Sequence, residues 1–336
     1  MFGFPHGYAS GWYQFGWAAE FQPGAVVPLY YFDRRLVAYR TQSGRLLLSD
    51  ATCPHLGAHL GYGGTVDGEN MVCPFHGWTW DTDGRNVDIP YSAPERMKLR
   101  IRHYDVREVD GLALMWFGVK GEGPTWEPPQ LLPEGTGFYP VYPDRAHLWN
   151  NLKFPPQLPA ENAGDAAHFR YVHLAAEVPE LDDWREGEYW FETSFRATFG
   201  GHAKKTWATP EGPVQGRLWT KCLGLGLAKG LIEAFDTIHT LQATTPVTRE
   251  VSDHRASLWV PCTRGDGSPL DQEICDRWAK QQFTQHARDF PVWENLTYIA
   301  KPPFAATEAV GFRALRKWIE SLYPNSAFEA ASAQGA

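Results

Sequence analysis

The chain has 336 residues, of which 43% are hydrophobic and 14% aromatic, and carries a formal net charge of -8. No apolar run approaches the roughly 18 residues of a membrane-spanning helix, and no basic run supplies the clustered Lys and Arg that phosphate binding demands. A membrane span and a nucleic-acid partner are therefore both unexpected.

From Ala25 to about Phe117, short β-branched and aromatic runs such as VVPLYYF, RRLVAYR and GRLLLSD are broken by turn signals. The pattern predicts a small antiparallel β domain. At its tip lie two loops, Cys53-Pro54-His55 and Cys73-Pro74-Phe75-His76, each offering one thiolate and one imidazole. Two cysteines on one iron and two histidines on the other form the ligand set of a Rieske [2Fe-2S] cluster, so each loop must feed both metals. Structural zinc also takes two thiolates and two imidazoles, but usually as a cysteine pair followed by a histidine pair. Here each pair is mixed and residues 56–72 intervene, which favours the Rieske reading. His59 is a rival ligand, better suited to hydrogen-bonding within its loop.

Respiratory Rieske proteins add a cysteine to each loop and a serine that hydrogen-bonds the cluster. Ala58, Phe75 and Trp78 stand at those places here, which points to a low-potential electron donor. The remaining Cys222, Cys262 and Cys275 are odd in number and suggest no disulfide framework. With no secretory leader visible at Met1 to Glu20, a reducing cytoplasm is expected.

A cluster domain of this kind accounts for about 100 residues, so roughly two further domain-equivalents need another role. Proline is frequent from Pro124 to Pro159 and discourages long regular elements there. The boundary is placed near residues 118–135, dividing the chain into domains 1–125 and 126–324, with a small polar tail, 325–336, expected to be disordered. Tyr189, Phe191, Phe195 and Phe199 alternate with Trp190, Glu192, Arg196 and Thr198, the period of a half-buried strand. Further strands are predicted at 236–244 and 255–262. Helical spacing appears at Ile274 and Trp278, and at Leu315, Trp318, Ile319 and Leu322, as core seams. The 15 tryptophans fit either a large core or a wide apolar cavity.

Glu161, Asn162, Asp165, His168 and His173 fall in one expected helix after the Pro-rich stretch. Two histidines and a carboxylate on one face are the ligands of a non-haem Fe(II) oxygenase site. Spaced five apart, His168 and His173 diverge by about 140° on an ideal helix, so a π-bulge or a helix end must bring them together. Paired helical histidines are more often ordinary packing or surface residues. The electron donor in the same chain shifts that balance, because it requires an acceptor. On spacing alone Asp165, Glu161, Asp271, Glu294 and Asp289 all compete for the third position.

GWYQFGWAAEF near the start, CPFHGWTWD with the later IPY, ENAGDAAHFRYVH, DFPVWENLTY and RALRKWIESLYP together cover most of the chain. In these segments the chain resembles the Rieske non-haem iron oxygenases, and among them the oxygenase component of 3-ketosteroid 9α-hydroxylase and the cholesterol desaturases. Residues 178–265 carry the weakest likeness. The resemblance implies an α+β fold, with an N-terminal antiparallel β Rieske domain and a helix-grip (START-like) catalytic domain of antiparallel sheet and helices. It implies one [2Fe-2S] cluster on Cys53, His55, Cys73 and His76, and one mononuclear Fe(II) on His168, His173 and Asp289. Asp289 is selected because it stands four residues before Trp293; Pro291 is a departure that threatens to kink the helix there. The family also implies a homotrimer in which Asp165 bridges His76 of one subunit and His168 of the next, with Asn162 supporting the iron from a distance.

The activity so implied is that of a terminal oxygenase. It takes two electrons from a separate NAD(P)H-dependent reductase or ferredoxin, uses O2, and hydroxylates a hydrophobic, steroid-like polycyclic substrate. Desaturation, demethylation, or hydroxylation of a small aromatic or alkaloid are alternatives within the family. An electron-transfer protein without oxygenase activity and a regulator that has lost its iron are alternatives outside it.

Overall fold

A computed structural model describes residues 4, 7–92, 96–175, 177–199, 214–234 and 237–324. The tail expected at 325–336 lies outside these. The chain divides into two compact units, Phe15–Thr125 and Met1–Gln14 with Trp126–Ala336. The first fourteen residues thus group with the second unit instead of the first. Strand β1 (Gly11–Trp17) runs across the division.

In the Phe15–Thr125 unit, β2 (Val26–Tyr31), β3 (Arg34–Arg40), β4 (Leu46–Asp50) and β9 (His103–Tyr104) form one antiparallel sheet. A second sheet runs β5 (Thr65–Asp67), β6 (Asn70–Val72), β7 (Thr79–Trp80) and β8 (Asn86–Asp88), and β10 (Val106–Val109) pairs with β11 (Leu112–Phe117). Two tight hairpins follow local chemistry. Asp110 and Gly111 turn β10 into β11 with φ of 49° and 83°, as a two-residue hairpin loop requires. Phe32 and Asp33 also hold positive φ, and Phe32 is kept there by burial and by stacking on Phe117 at 3.9 Å. Val37, Tyr39, Leu47, Leu60, Met71 and Trp80 form the core beneath the two cysteine loops.

The larger unit is a seven-stranded antiparallel sheet. Its order is β12 (Ala146–Leu152), β18 (Ser252–Trp259), β17 (Thr237–Pro246), β16 (Leu227–Glu233), β15 (Val214–Leu223), β14 (Trp190–Phe199) and β13 (Glu180–Glu186). The alternation at 189–199 becomes β14, and the runs at 236–244 and 255–262 become β17 and β18. Strand β12 lies inside the Pro-rich stretch, because 144–154 between Pro143 and Pro155 is free of proline. The single helix expected over Glu161–His173 is instead two short ones, α1 (Gln157–Asn162) and α2 (Ala167–Tyr171).

Register puts Phe191, Cys222, Ala228 and Gln242 on one sheet face in one row, and Phe195, Leu218, Ile232 and Ile238 on the same face in another. Two helices cover opposite ends of that face. The helix α5 (Ala309–Leu322) buries Leu315, Trp318 and Ile319, one side of a 3.6-residue repeat, against Phe191, Cys222 and Ala228. The helix α3 (Gln272–His286), capped by the Asp271 carboxylate accepting from the Glu273 and Ile274 N–H groups, packs Cys275, Ala279 and Phe283 against Ile232, Ile238 and Leu258. Each buried Leu, Ile or Phe side chain contributes about 1.5–3 kcal/mol. Between the two helices the facing row is Thr220, Gly230 and Thr240, which are too small to fill the space. A cavity opens over them. Among the described residues, no helix is long and apolar enough to cross a membrane.

Candidate metal centre

The two cysteine loops are built alike. Cys53 N–H donates to Ala58 O and Gly57 N–H to Cys53 O, while Cys73 N–H donates to Trp78 O and Gly77 N–H to Cys73 O. Gly57 and Gly77 sit at φ 80° and 72°, where a side chain would be strained, so each loop can close on its cysteine. The His55 and His76 rings lie 4.7 Å apart, and Trp78 stacks on His55 at 4.2 Å while its indole N–H donates to the Tyr91 hydroxyl. Both thiols are buried. Burial, with Cys73 as neighbour, pushes the Cys53 thiol up to about 11, so thiolates here require a bound cation to hold them. His76 Nδ1 is buried without a hydrogen-bond partner. These donors suit a metal cluster. His59 serves its loop, Nδ1 accepting from Gly61 N–H at 3.0 Å, and all five cysteines are free of disulfides.

In the larger unit, α1 stops before Gly164, where a Cβ would lie 2.7 Å from Leu315 Cδ2. Helix α2 then carries His168, and it ends before His173. Leu174 follows with φ 60°. A helix end therefore resolves the five-residue spacing. Asp289 follows α3 and is the N-cap of α4 (Phe290–Trp293), which places Pro291 in a first turn, where no intrahelical N–H is lost. The kink expected from Pro291 does not arise. Donor atoms of His168, His173 and Asp289 all lie within 4.8 Å of one another, with His173 Nε2 3.5 Å from Asp289 Oδ2.

His168 Nδ1 bonds the Asp165 carbonyl, which fixes the proton on Nδ1 and leaves Nε2 to accept. That Nε2, His173 Nδ1 and Asp289 Oδ2 are all buried and lack partners. Burial lowers the His168 pKa, so its ring is neutral at pH 7, as a ligand must be. The competing carboxylates are engaged elsewhere. Glu161 pairs with Arg316 at 2.9 Å, Asp271 caps α3, and Glu294 accepts from Lys153 N–H. Asp165 Oδ1 accepts from His168 N–H at 3.2 Å, and its side chain remains 35% exposed.

The trio lies in the wall of the cavity over the sheet. Ala163, Phe169, Leu218 and Ile232 give it an apolar lining, and Asn162 reaches it from the end of α1. Gln282, Gln285 and His286 also line it and were not singled out from the sequence. Their i, i+3 and i+4 spacing, continuing to Asp289, marks a single helix face and was the available signal.

The Rieske [2Fe-2S] domain profile matches residues 11–108, and that of the 3-ketosteroid 9alpha-hydroxylase C-terminal domain matches residues 115–323. The chain is 28% identical to cholesterol 7-desaturase of Xenopus laevis over 95% of its own length and 72% of that protein's. It is 27% identical to a probable 3-ketosteroid-9-alpha-monooxygenase oxygenase component of Rhodococcus rhodochrous, over 95% and 81%. Among solved structures, dicamba monooxygenase bound to 3,6-dichlorosalicylic acid superposes with a TM-score of 0.69 at 20% identity, over 96% and 98% of the two chains. NdmA of Pseudomonas putida CBB5 with caffeine superposes at 0.65 and 18%, over 95% and 94%. With both domain profiles matched in order and the oxygenase fold shared along its length, this chain belongs to the Rieske oxygenases, carrying the catalytic domain of the 3-ketosteroid 9α-hydroxylase family.

Proposed function

We propose that the protein is the terminal component of a Rieske non-haem iron monooxygenase that hydroxylates a hydrophobic, steroid-like polycyclic substrate. The observation that carries this reading is the convergence of His168, His173 and Asp289, with unpartnered donor atoms, on the wall of an apolar cavity. Cys53, His55, Cys73 and His76 would hold a [2Fe-2S] cluster, and the trio one Fe(II). When bound, these groups supply one-electron transfer and O2 activation, with electrons drawn from a separate NAD(P)H-dependent reductase or ferredoxin.

The chain's own residues set the conditions for that chemistry. Asp165 holds the His168 ring in the tautomer that presents Nε2, and the Leu218 and Ile232 side chains keep water from the cavity floor. The steroid preference rests on the names of two relatives, a cholesterol desaturase and a 3-ketosteroid monooxygenase, together with the cavity's apolar lining.

A homotrimer belongs to the same reading. Leu56, Tyr62, Phe75 and Tyr91 form an exposed apolar collar around the cluster loops, a surface suited to cover by a neighbouring copy. The free part of the Asp165 carboxylate would then reach His76 of that copy, and Asn162 would support the iron site from the cavity wall. The test combines metal analysis with a turnover screen under a surrogate reductase, using steroids, small aromatics and alkaloids. About three irons per chain and oxygen incorporated into a steroid are expected. Two irons per chain, or turnover of small aromatics alone, would refute the respective halves.

A further inference from the structure

Behind Asp289 lies a buried histidine pair that the reading above leaves without a role. His254 on β18 and His286 at the end of α3 meet Nε2 to Nε2 at 2.5 Å, with ring centroids 4.7 Å apart. His254 Nδ1 lies 2.7 Å from Thr244 Oγ1 on β17, and His286 Nδ1 lies 4.0 Å from Asp289 Oδ2. Trp149, Phe290 and Trp293 pack on both rings, with centroids 5.4–6.5 Å away, so water is kept out. Burial drives the His254 pKa well below its usual value, so its ring is neutral at pH 7.

Two imidazoles that share one hydrogen bond must split the roles of donor and acceptor. If His286 pointed a lone pair at Asp289, two acceptors would face each other in a low-dielectric pocket. The favourable order therefore aims His286 Nδ1–H at the carboxylate. His286 Nε2 then accepts from His254 Nε2–H, and His254 Nδ1 accepts from the Thr244 hydroxyl. Every proton in the chain points the same way, toward Oδ2.

We propose that Thr244, His254 and His286 form a relay of fixed tautomers that orients the Asp289 carboxylate for metal binding, with His254 and His286 as positioning residues. The inference rests on the reading of Asp289 as an iron ligand. It separates His286 into two functions that isosteric substitutions can divide. His286→Asn keeps an N–H near the Nδ1 position and gives up the bond to His254. His286→Gln keeps a polar atom near Nε2 and gives up the N–H facing Asp289.

The test is an anaerobic Co(II) titration of the full chain, with its cluster intact and its mononuclear site stripped by chelator, read from the visible Co(II) bands. Co(II) affinity is expected to fall about 10–100-fold in His286→Gln and to stay near wild type in His286→Asn. His254→Leu should weaken binding as well, with altered bands. Equal affinity and spectra in the two His286 variants would overturn the proposal. So would an equal loss in both accompanied by a lower metal-free melting temperature, which marks packing alone. Wild-type protein that binds no Co(II), or an Asp289→Ala variant that binds it as well as wild type, would overturn the iron-ligand reading itself.

Discussion

Replacing Asp289 by Asn should reverse the order of stability between wild type and variant according to whether metal is present. Asp289 is 2% exposed, and its Oδ2 has no hydrogen-bond partner. Its nearest charge-bearing candidates are His173 at 3.5 Å and His286 at 4.0 Å, and burial keeps His286 neutral at pH 7. Without metal, the fold therefore carries a buried acceptor with no N–H in hydrogen-bond reach, His286 Nδ1 lying 4.0 Å away, at a cost of about 1–3 kcal/mol, more for a charged group. The neutral amide escapes most of that cost. Metal-free Asp289→Asn should therefore melt higher than wild type, by about 2–4 °C for each kcal/mol recovered in a unit of this size.

Fe(II) at a hundred times its dissociation constant should add about 2.7 kcal/mol to wild type by mass action and almost nothing to the variant. The assay is an anaerobic thermal melt followed by circular dichroism, with and without Fe(II). A metal-free variant that melts below wild type would refute the reasoning, as would an equal response of both proteins to Fe(II).

Other consequences are as direct. His168→Ala should lower iron content from about three to two per chain and leave the [2Fe-2S] absorption unchanged, as measured by metal analysis and visible spectroscopy. Asp165→Asn should retain both metals and lose nearly all turnover, while cluster reduction by dithionite proceeds normally; wild-type activity would remove the bridging role. A Cβ on Gly230 would lie 2.3 Å from Thr240 Oγ1, so Gly230→Val should narrow the cavity floor and cost about 1–3 kcal/mol of stability, with steroid binding lost before metal binding. Burial lowers the His239 pKa from 6.5 to about 4, so between those values the unfolded chain binds the extra proton. Stability should therefore be complete above pH 6.5 and fall toward pH 4, by up to about 3 kcal/mol, with a flatter profile in His239→Gln.

Cluster chemistry and strand periodicity were legible because both are local. The Cys53–His55 and Cys73–His76 loops carry their ligands within four residues, and the hydrogen bonds that shape them stay inside each loop. The alternation at 189–199 likewise needs only the pleat. Strands β12, β13, β15 and β16 were not anticipated, since their faces are decided by neighbours across the sheet. The helix expected over 161–173 is interrupted at Gly164, where Leu315 of α5 packs too close for a Cβ, a contact between distant parts of the chain that no local pattern reports.

Sequence alone determined which residue types could bind metal. It left five carboxylates competing for one place beside His168 and His173. Tertiary structure engages Glu161 with Arg316 and Glu294 with the Lys153 N–H, while Asp271 and Asp165 hold backbone N–H groups two or three residues further on. It also placed Pro291 in a first turn and set His254 against His286, residues from a strand and a helix 32 positions apart. A carboxylate's role depends on which partners remain when packing is complete, and for Glu161, Glu294 and Asp289 neighbours come from distant parts of the chain.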